Sequence, residues 1–360
     1  MGVIRIDGAA VGGISACVPR LEINNFEYGK ELYGDGLEAT IRATGVERRR
    51  FVTGASITAL DLCARAASAL RDSSGFDYSE FGGLLFVTMT PDFFMPNNAS
   101  YAHKLLGFSQ GTPALDIGMA CSGYPYGLWL AGMMALSTGK KILLLDGDTH
   151  SPFISPHDRA TSLLFGDGGT ATVVGPSPES GPWFFDFVTV GDRDSLVVPN
   201  SGYRDRVSAA SLNYAEFPDG SRRRGIDLRM DGMAVFNHVV RNAPQSLARL
   251  MEAEGKSSEG YDYLLLHQAN LMMISQVAKK LKFAGERFPT SIAKYGNIGS
   301  GSIALTVCSE LEDAVEAKMS RVLMSAFGAG FSVGSASVEI GPCPCAGVVE
   351  YEGEFGVSDV

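Results

Sequence analysis

Three side chains of this 360-residue sequence carry chemistry suited to acyl-group work: a thiol, an imidazole and a carboxamide. Cys121 stands in "DIGMACSGYPYGLWLAGMMALSTGKK" (116–141), after the strand-like "PALDIGMA" and before a long apolar run. A thiol at a helix N-terminus meets unpaired N–H groups and the positive end of the helix dipole. Both lower its pKa and raise the thiolate fraction. A small buried hydrophobe would suit the same place. His267 ends "YDYLLLHQAN" (261–270). The C-terminal end of a buried strand is the usual active-site edge of an α/β sheet, though a core histidine held by a backbone partner would look alike. Asn297 lies in "KYGNIGSGS", a Gly-rich turn leading into a helix. An amide there can donate to a developing oxyanion without titrating, and a plain turn Asn is the alternative. "AFGAGFSVGSA" (326–336) offers glycine backbone that can approach a substrate closely. Asp167, in "LLFGDGGTATVV" (163–174), reads as part of a tight structural turn. His103, His150, His157 and His238 show no metal-ligand spacing, and no Gly-Lys-Ser/Thr follows the glycines to make a phosphate loop.

The elements that must position these groups are legible as an alternation. "GGLLFVTMT" (82–90), "KILLLDGD" (141–148), "YDYLLLHQAN" (261–270) and "RVLMSAFG" (321–328) read as buried strands. "SITALDLCARAASALRD" (56–72) and "VFNHVVRNAPQSLARLME" (235–252) read as helices. Such alternation predicts an α/β fold with mixed or parallel sheets covered by helices. There is an internal echo: Leu84 and Leu264, Leu143 and Leu323, and the helices around Leu70 and Leu250 all lie 180 residues apart, with Cys121 opposite Gly301. The spacing predicts two similar halves, 1–180 and 181–360, joined at the Gly/Pro/Ser-rich "GPSPESGPW" (175–183). One cleft between them would draw Cys121 from the first half and His267 and Asn297 from the second.

Bulk properties exclude several classes. Hydrophobic residues make up 45% and charged ones 19%, a globular balance. The formal charge of −10 repels polyanions, so a nucleic-acid role is disfavoured and an acidic partner needs a local basic patch. The apolar run after Cys121 is broken by Ser122, Gly123 and Pro125 in front and by Ser137-Thr138-Gly139 behind, leaving about Tyr124–Leu136 as a core helix instead of a membrane span. Pro125 fits a first helical turn. The start "MGVIRIDGAAVGG" lacks a signal-peptide pattern, so the six cysteines (17, 63, 121, 308, 343 and 345) are expected to be reduced thiols in the cytoplasm. The pair in "GPCPCAG" is a weak metal or redox signal without a nearby His or second pair.

Taken in order, "TGVERRR", "TMTPDFFMPNNASYAHKLLG", "DIGMACSGYPYGL", "LLFGDGGTATVV", "MDGMAVFNHVV", "LLLHQANLMMI", "YGNIGSGS" and "AFGAGFSVGSA" resemble the β-ketoacyl-[acyl carrier protein] synthase III group of the thiolase superfamily. The resemblance runs from about residue 4 to residue 340. It implies a layered αβαβα thiolase-like fold with mixed five-stranded sheets, and a cytoplasmic homodimer without a cofactor. It implies decarboxylative Claisen condensation of an acyl thioester with a malonyl thioester. Cys121 would carry the acyl group, and His267 and Asn297 would bind the malonyl thioester carbonyl. The backbone N–H groups of Cys121 and Ala329 would form the oxyanion hole. Arg159, Met95 and Phe327 would contact substrate, Met95 from across a dimer interface. Acyl carrier protein and acyl-coenzyme A are the implied partner and donor, with Lys279, Lys280 and Lys282 as a candidate carrier-docking patch. The chain departs from the family pattern at Ala39 and Ala43, where an aromatic residue and an Arg for coenzyme A are common, at Met272, where a basic residue is common, and at Ile298-Gly299 after Asn297. Two other readings compete: acyl transfer to an alcohol or amine on the same fold, and a non-catalytic partner subunit of a heterodimer. A degradative thiolase is disfavoured, because "SAFGAGFS" lacks a second cysteine.

Overall fold

The computed structural model describes residues 2–53 and 57–353. Ser56, read as the start of a helix, and the tail residues 354–360 lie outside the described residues. Two mixed sheets organise the chain. The first contains β2 (Ala9–Pro19), β3 (Gly83–Val87), β4 (Ala114–Ile117), β5 (Ile142–Thr149), β6 (Asp167–Pro176) and β11 (Cys345–Tyr351), in the order β11-β2-β6-β5-β3-β4. The second contains β1 (Ile4–Ile6), β7 (Trp183–Thr189), β8 (Tyr263–Leu266), β9 (Ser320–Gly328) and β10 (Ser332–Ile340), in the order β1-β7-β10-β9-β8. The echo at 180 residues is an echo of pairing. β3 runs parallel to β5 as β8 does to β9, and β5 is antiparallel to β6 as β9 is to β10.

Strand sequence explains the layering. Along β3 and β5, Leu85, Ile142 and Leu144 enter the core between the sheets, while Leu84, Phe86, Leu143 and Leu145 enter an outer core. Strands buried on both faces need near-continuous apolar runs, which is what "LLFV" and "ILLL" supply. Helix α1 (Ala59–Ser74) covers the outer face of the first sheet, its start fixed by a capping box of Thr58 and Asp61. Helices α3 (Gly232–Glu254) and α4 (Leu271–Lys280) cover the outer face of the second. Between the sheets lie α2 (Gly123–Thr138) and α5 (Ser302–Glu310). α2 is apolar almost all round, as a helix enclosed by two sheets must be. It ends at Gly139, whose φ of 67° is the left-handed conformation of a helix C-terminus. Its fully buried Leu128, Ala131 and Ala135 add to the core; a side chain of leucine size contributes about 1.5–3 kcal/mol. No helix of the described residues is long and apolar enough to cross a membrane.

The first sheet departs from the expected five strands by having six. The chain ends exchange sheets. β1 pairs with β7 of the second sheet, and β11 pairs in parallel with β2 of the first. An unpaired β2 edge would expose a row of backbone donors and acceptors, and β11 covers it. The tail cysteines serve this strand. Cys343 and Cys345 are buried, none of the six cysteines forms a disulfide, and no metal-holding cluster occurs among the described residues.

Candidate active site

Cys121 sits in a single 3₁₀ turn, Ala120–Ser122, that feeds α2. Ala120 has a φ of 44°, a left-handed conformation costing roughly 1–2 kcal/mol in a residue with a Cβ. The turn is clamped by residues of both sheets. Ser122 Oγ lies 2.7 Å from Ser332 Oγ and donates to Met119 O at 2.7 Å. Gly328, at the end of β9, lies so close that a Cβ there would stand 2.8 Å from the Cys121 nitrogen. Gly123 faces Val87 with similar closeness. The thiol is buried, and burial pushes its pKa up, with Asp148 and Asp146 adding to the rise. This overturns the sequence expectation of a lowered thiol pKa. The first-turn N–H still favours the thiolate, but desolvation outweighs it.

His267 follows β8, its N–H donating to Ser325 O at 3.0 Å. Its Nδ1 lies 2.7 Å from Ser302 Oγ. The Gln268 N–H also donates to Ser302 Oγ, at 3.3 Å. A Ser302 hydroxyl proton directed at Nδ1 would leave the imidazole proton on Nε2 and make that atom a donor. Burial pushes the His267 pKa down to about 3, helped by the nearby His150, so the ring is neutral near pH 7. Phe327 meets it edge-on at 5.4 Å.

Asn297 is held by its own backbone. Its N–H donates to Leu164 O at 2.9 Å, and its carbonyl accepts from the Gly166 N–H at 2.9 Å. Its side-chain oxygen accepts from the Gly299 N–H at 2.9 Å, leaving the NH₂ as the outward donor. Gly299 has a φ of 76°, and a Cβ there would stand 2.4 Å from Asp148 Oδ2 and 2.6 Å from His150 Cε1. The Gly of the "Ile-Gly" after Asn297 is therefore a steric requirement of this chain.

Cys121, His267 and Asn297 all line one cavity of about 80 Å³, walled by Phe327, Gly328 and Phe331. Ala329, partly exposed, follows Gly328 in the turn that packs on Cys121. The other expected contacts lie elsewhere. Arg159 is exposed, its guanidinium 5.8 Å from the Tyr33 ring and its N–H bonded to Ser221 Oγ. Met95 is 87% exposed, on a loop outside this cavity. Lys279, Lys280 and Lys282 are exposed at the end of α4. Sequence reasoning missed Ser302 and Gln268. The Gln268 amide bonds Leu266 O and accepts from the Ser291 and Ile292 N–H groups, so it locks the loop that carries His267. Its place beside His267 in "HQAN" was the available signal.

Comparison with known proteins identifies the family. The profile of "3-Oxoacyl-[acyl-carrier-protein (ACP)] synthase III" matches residues 115–192, and that of its C-terminal part matches residues 251–340. The chain is 32% identical over 339 residues to the β-ketoacyl-[acyl-carrier-protein] synthase III of Campylobacter concisus, covering 92% of this chain and 97% of the relative. It is 33% identical over 298 residues to the Enterococcus faecalis enzyme of that name, covering 81% and 87%. A 3-oxoacyl-(acyl-carrier protein) synthase structure from Burkholderia xenovorans superposes with a TM-score of 0.89 at 34% identity, covering 97% of this chain and 99% of that one. A buried thiol, a neutral imidazole and an amide donor on one cavity, in a chain with these relatives, place this protein in the 3-oxoacyl-[acyl-carrier-protein] synthase III family.

Proposed function

We propose that the chain condenses an acyl thioester with a malonyl thioester through an acyl-Cys121 intermediate. The observation that supports this most directly is that Cys121, His267 and Asn297 share one cavity. In the first half-reaction the Cys121 sulfur attacks the donor carbonyl, and the thiol proton leaves with the departing thiol. In the second, His267 Nε2–H and the Asn297 NH₂ donate to the malonyl thioester oxygen. Carbon dioxide departs, and the enolate carbon attacks the acyl carbonyl. The carbon–carbon bond forms, the carbon–sulfur bond to Cys121 breaks, and the released thiolate takes a proton from solvent. A neutral imidazole suits this role, because it donates a hydrogen bond without adding a net charge. Splitting the reaction at a covalent intermediate replaces one hard step by two easier ones. The N–H groups of Cys121 and Ala329 hold the tetrahedral oxyanion.

The reaction needs no cofactor beyond its thioester substrates. The partners are acyl carrier protein, with Lys279, Lys280 and Lys282 as its docking candidates, and acyl-coenzyme A as donor, with Arg159 in contact. The enzyme works in the cytoplasm as a homodimer. In support of the dimer, β4 is an edge strand with Leu115 exposed, next to a loop that exposes Met89, Phe93, Phe94 and Met95. Such an apolar edge calls for a second chain.

The test is intact mass after incubation with acyl thioesters, followed by malonyl-carrier and carbon dioxide detection. Acylation absent from Cys121→Ser, together with carbon dioxide release reduced about 10²–10³-fold in His267→Ala and Asn297→Ala, is expected. Acylation without carbon dioxide release would move the reading to plain acyl transfer. No acylation by any donor would leave a non-catalytic subunit.

A further inference from the structure

A second cavity, of about 400 Å³ against about 80 Å³ for the one at Cys121, lies apart from the catalytic residues. It lies in the excursion 196–230, between β7 and α3. This segment holds six arginines and no lysine against four acidic residues, in a chain whose net charge is −10. Arg223, Arg224 and Arg229 line the cavity with Asp227, Asn200 and Asn213.

The three guanidiniums are not equivalent. Arg223 is only 7% exposed; one of its amino groups bonds Asp158 at 2.8 Å and Asp219 at 2.5 Å, and its Nε has no hydrogen-bond partner. Arg224 is paired with Asp227 through Nε and Nη2, at 3.0 and 2.7 Å. Arg229 is exposed and makes no ion pair among the described residues. An unpartnered buried N–H costs roughly 1–3 kcal/mol, and such groups in native proteins call for a partner. The cavity therefore offers one uncompensated cation and one unused buried donor, with amides beside them.

It adjoins the catalytic cavity. The excursion closes on a two-stranded stem in which Leu196 pairs with Met230 and Val197 with Arg229. Leu196 and Met230 line the cavity of Cys121, and the adjoining Arg229 lines the arginine cavity. Successive side chains of a strand point to opposite faces, so one stem forms a wall of both.

We propose that the arginine cavity binds a phosphate ester carried by the acyl thioester. This rests on the condensation reading above and names how the donor is held. Guanidinium groups match phosphate oxygens in geometry and charge. The site also compensates for Ala39 and Ala43, which offer no aromatic stack and no cation of their own. The phosphate belongs either to the nucleotide of coenzyme A or to a phosphopantetheine arm.

The test compares wild type with Arg229→Gln and Arg229→Glu, using one acyl group on coenzyme A, on phosphopantetheine and on pantetheine. Arg229→Gln is expected to raise KM about tenfold for a phosphate-bearing donor, a typical loss for one charged contact, with kcat unchanged. Acyl-pantetheine should be unaffected, and Arg229→Glu should act more strongly. A loss confined to acyl-coenzyme A assigns the nucleotide; a loss shared with acyl-phosphopantetheine assigns the arm. Equal shifts on all three donors, or none on any, overturn the proposal. Calorimetry with adenosine 3′,5′-bisphosphate and with phosphopantetheine reads binding without turnover. At least one should bind wild type and weaken in Arg229→Gln, and failure of both overturns the site while acylation by acyl-pantetheine keeps the condensation reading intact. Phosphate binding without Cys121 acylation by any donor would instead sink the condensation reading and leave the site.

Discussion

The two short turns that launch the central helices invite comparison. Ala120–Ser122 leads into α2 and Gly299–Gly301 into α5, and Cys121 falls opposite Gly301 in the 180-residue echo. Each turn packs against the strand end of the other half. At one junction the turn carries the side chain and the strand gives way, with Gly328 of β9 against Cys121. At the other the strand carries the side chains and the turn gives way. Asp148 of β5 and the adjacent His150 occupy the space a Cβ on Gly299 would need, and Gly301 packs against Asp146 O. The lesson is that each of these two junctions has room for one set of functional side chains, and glycine marks the side that yields. The chemistry sits in the turn before α2 because the end of β9 is bare there.

The largest effect should come from filling the bare side of the catalytic junction. In Gly328→Ala the new methyl group meets the Cys121 and Ser122 nitrogens at 2.8 and 3.0 Å. A shift of about 1 Å in the nucleophile can cost on the order of 10²-fold, so acylation measured by mass should slow by about that much, and overpacking against that backbone should lower stability by roughly 1–3 kcal/mol. Unchanged acylation would mean that the contact does not position Cys121. The same substitution at the opposite junction should instead be read in stability. Gly299→Ala adds a Cβ in a left-handed conformation and crowds Asp148 and His150. Backbone strain of roughly 1–2 kcal/mol and overpacking of roughly 1–3 kcal/mol predict a total loss of about 2–5 kcal/mol by denaturant unfolding.

A third prediction uses the burial of His267. Its folded pKa, about 3, lies below the ordinary 6.5, so the unfolded chain binds the proton more readily. The stability this gives is complete above pH 6.5 and is lost as pH falls toward 3. One proton is worth about 1.36 kcal/mol per pH unit, so about 2 kcal/mol should disappear between pH 6.5 and 5. His267→Gln should flatten that part of the stability profile, measured by urea titration at each pH. An unaltered slope would show that His267 is readily protonated in the folded chain.

What could be read beforehand divides along the same lines. Strands such as Ile142–Thr149 and the core helix Gly123–Thr138 were visible because apolar runs and breaker residues are local signals. The convergence of Cys121, His267 and Asn297 was visible through ordered motifs and the 180-residue echo. β11 was not, because "CAGVVEY" reveals a strand but not which of two sheets has an open edge. The thiol pKa was misjudged for a related reason. A helix N-terminus is readable from sequence, but the desolvation that outweighs it depends on both halves closing over Cys121. The arginine cavity escaped notice because its basic residues are interleaved with Asp205, Glu216, Asp219 and Asp227, and only folding shows which charges remain unpaired.

The subtlest comparison concerns the positions just after the nucleophile and just after its opposite number. Ser122 and Ser302 each occupy the residue after the matched pair Cys121 and Gly301, and each hydroxyl ties its turn to the second sheet's end. Ser122 steadies backbone through Ser332, whereas Ser302 sets the proton of His267. Ser302→Ala would leave Nδ1 without its donor and the Gln268 N–H without its acceptor. The imidazole is then free to carry its proton on Nδ1, which points away from the proposed malonyl oxygen. Carbon dioxide release from malonyl-carrier should fall about tenfold, the scale of one neutral hydrogen bond of about 1–1.5 kcal/mol, while acylation of Cys121 holds its rate. Ser302→Thr restores a hydroxyl and should recover most of the loss. A parallel drop in acylation and decarboxylation, unrescued by Thr, would show that Ser302 supports the fold of the turn and has no hold on the tautomer.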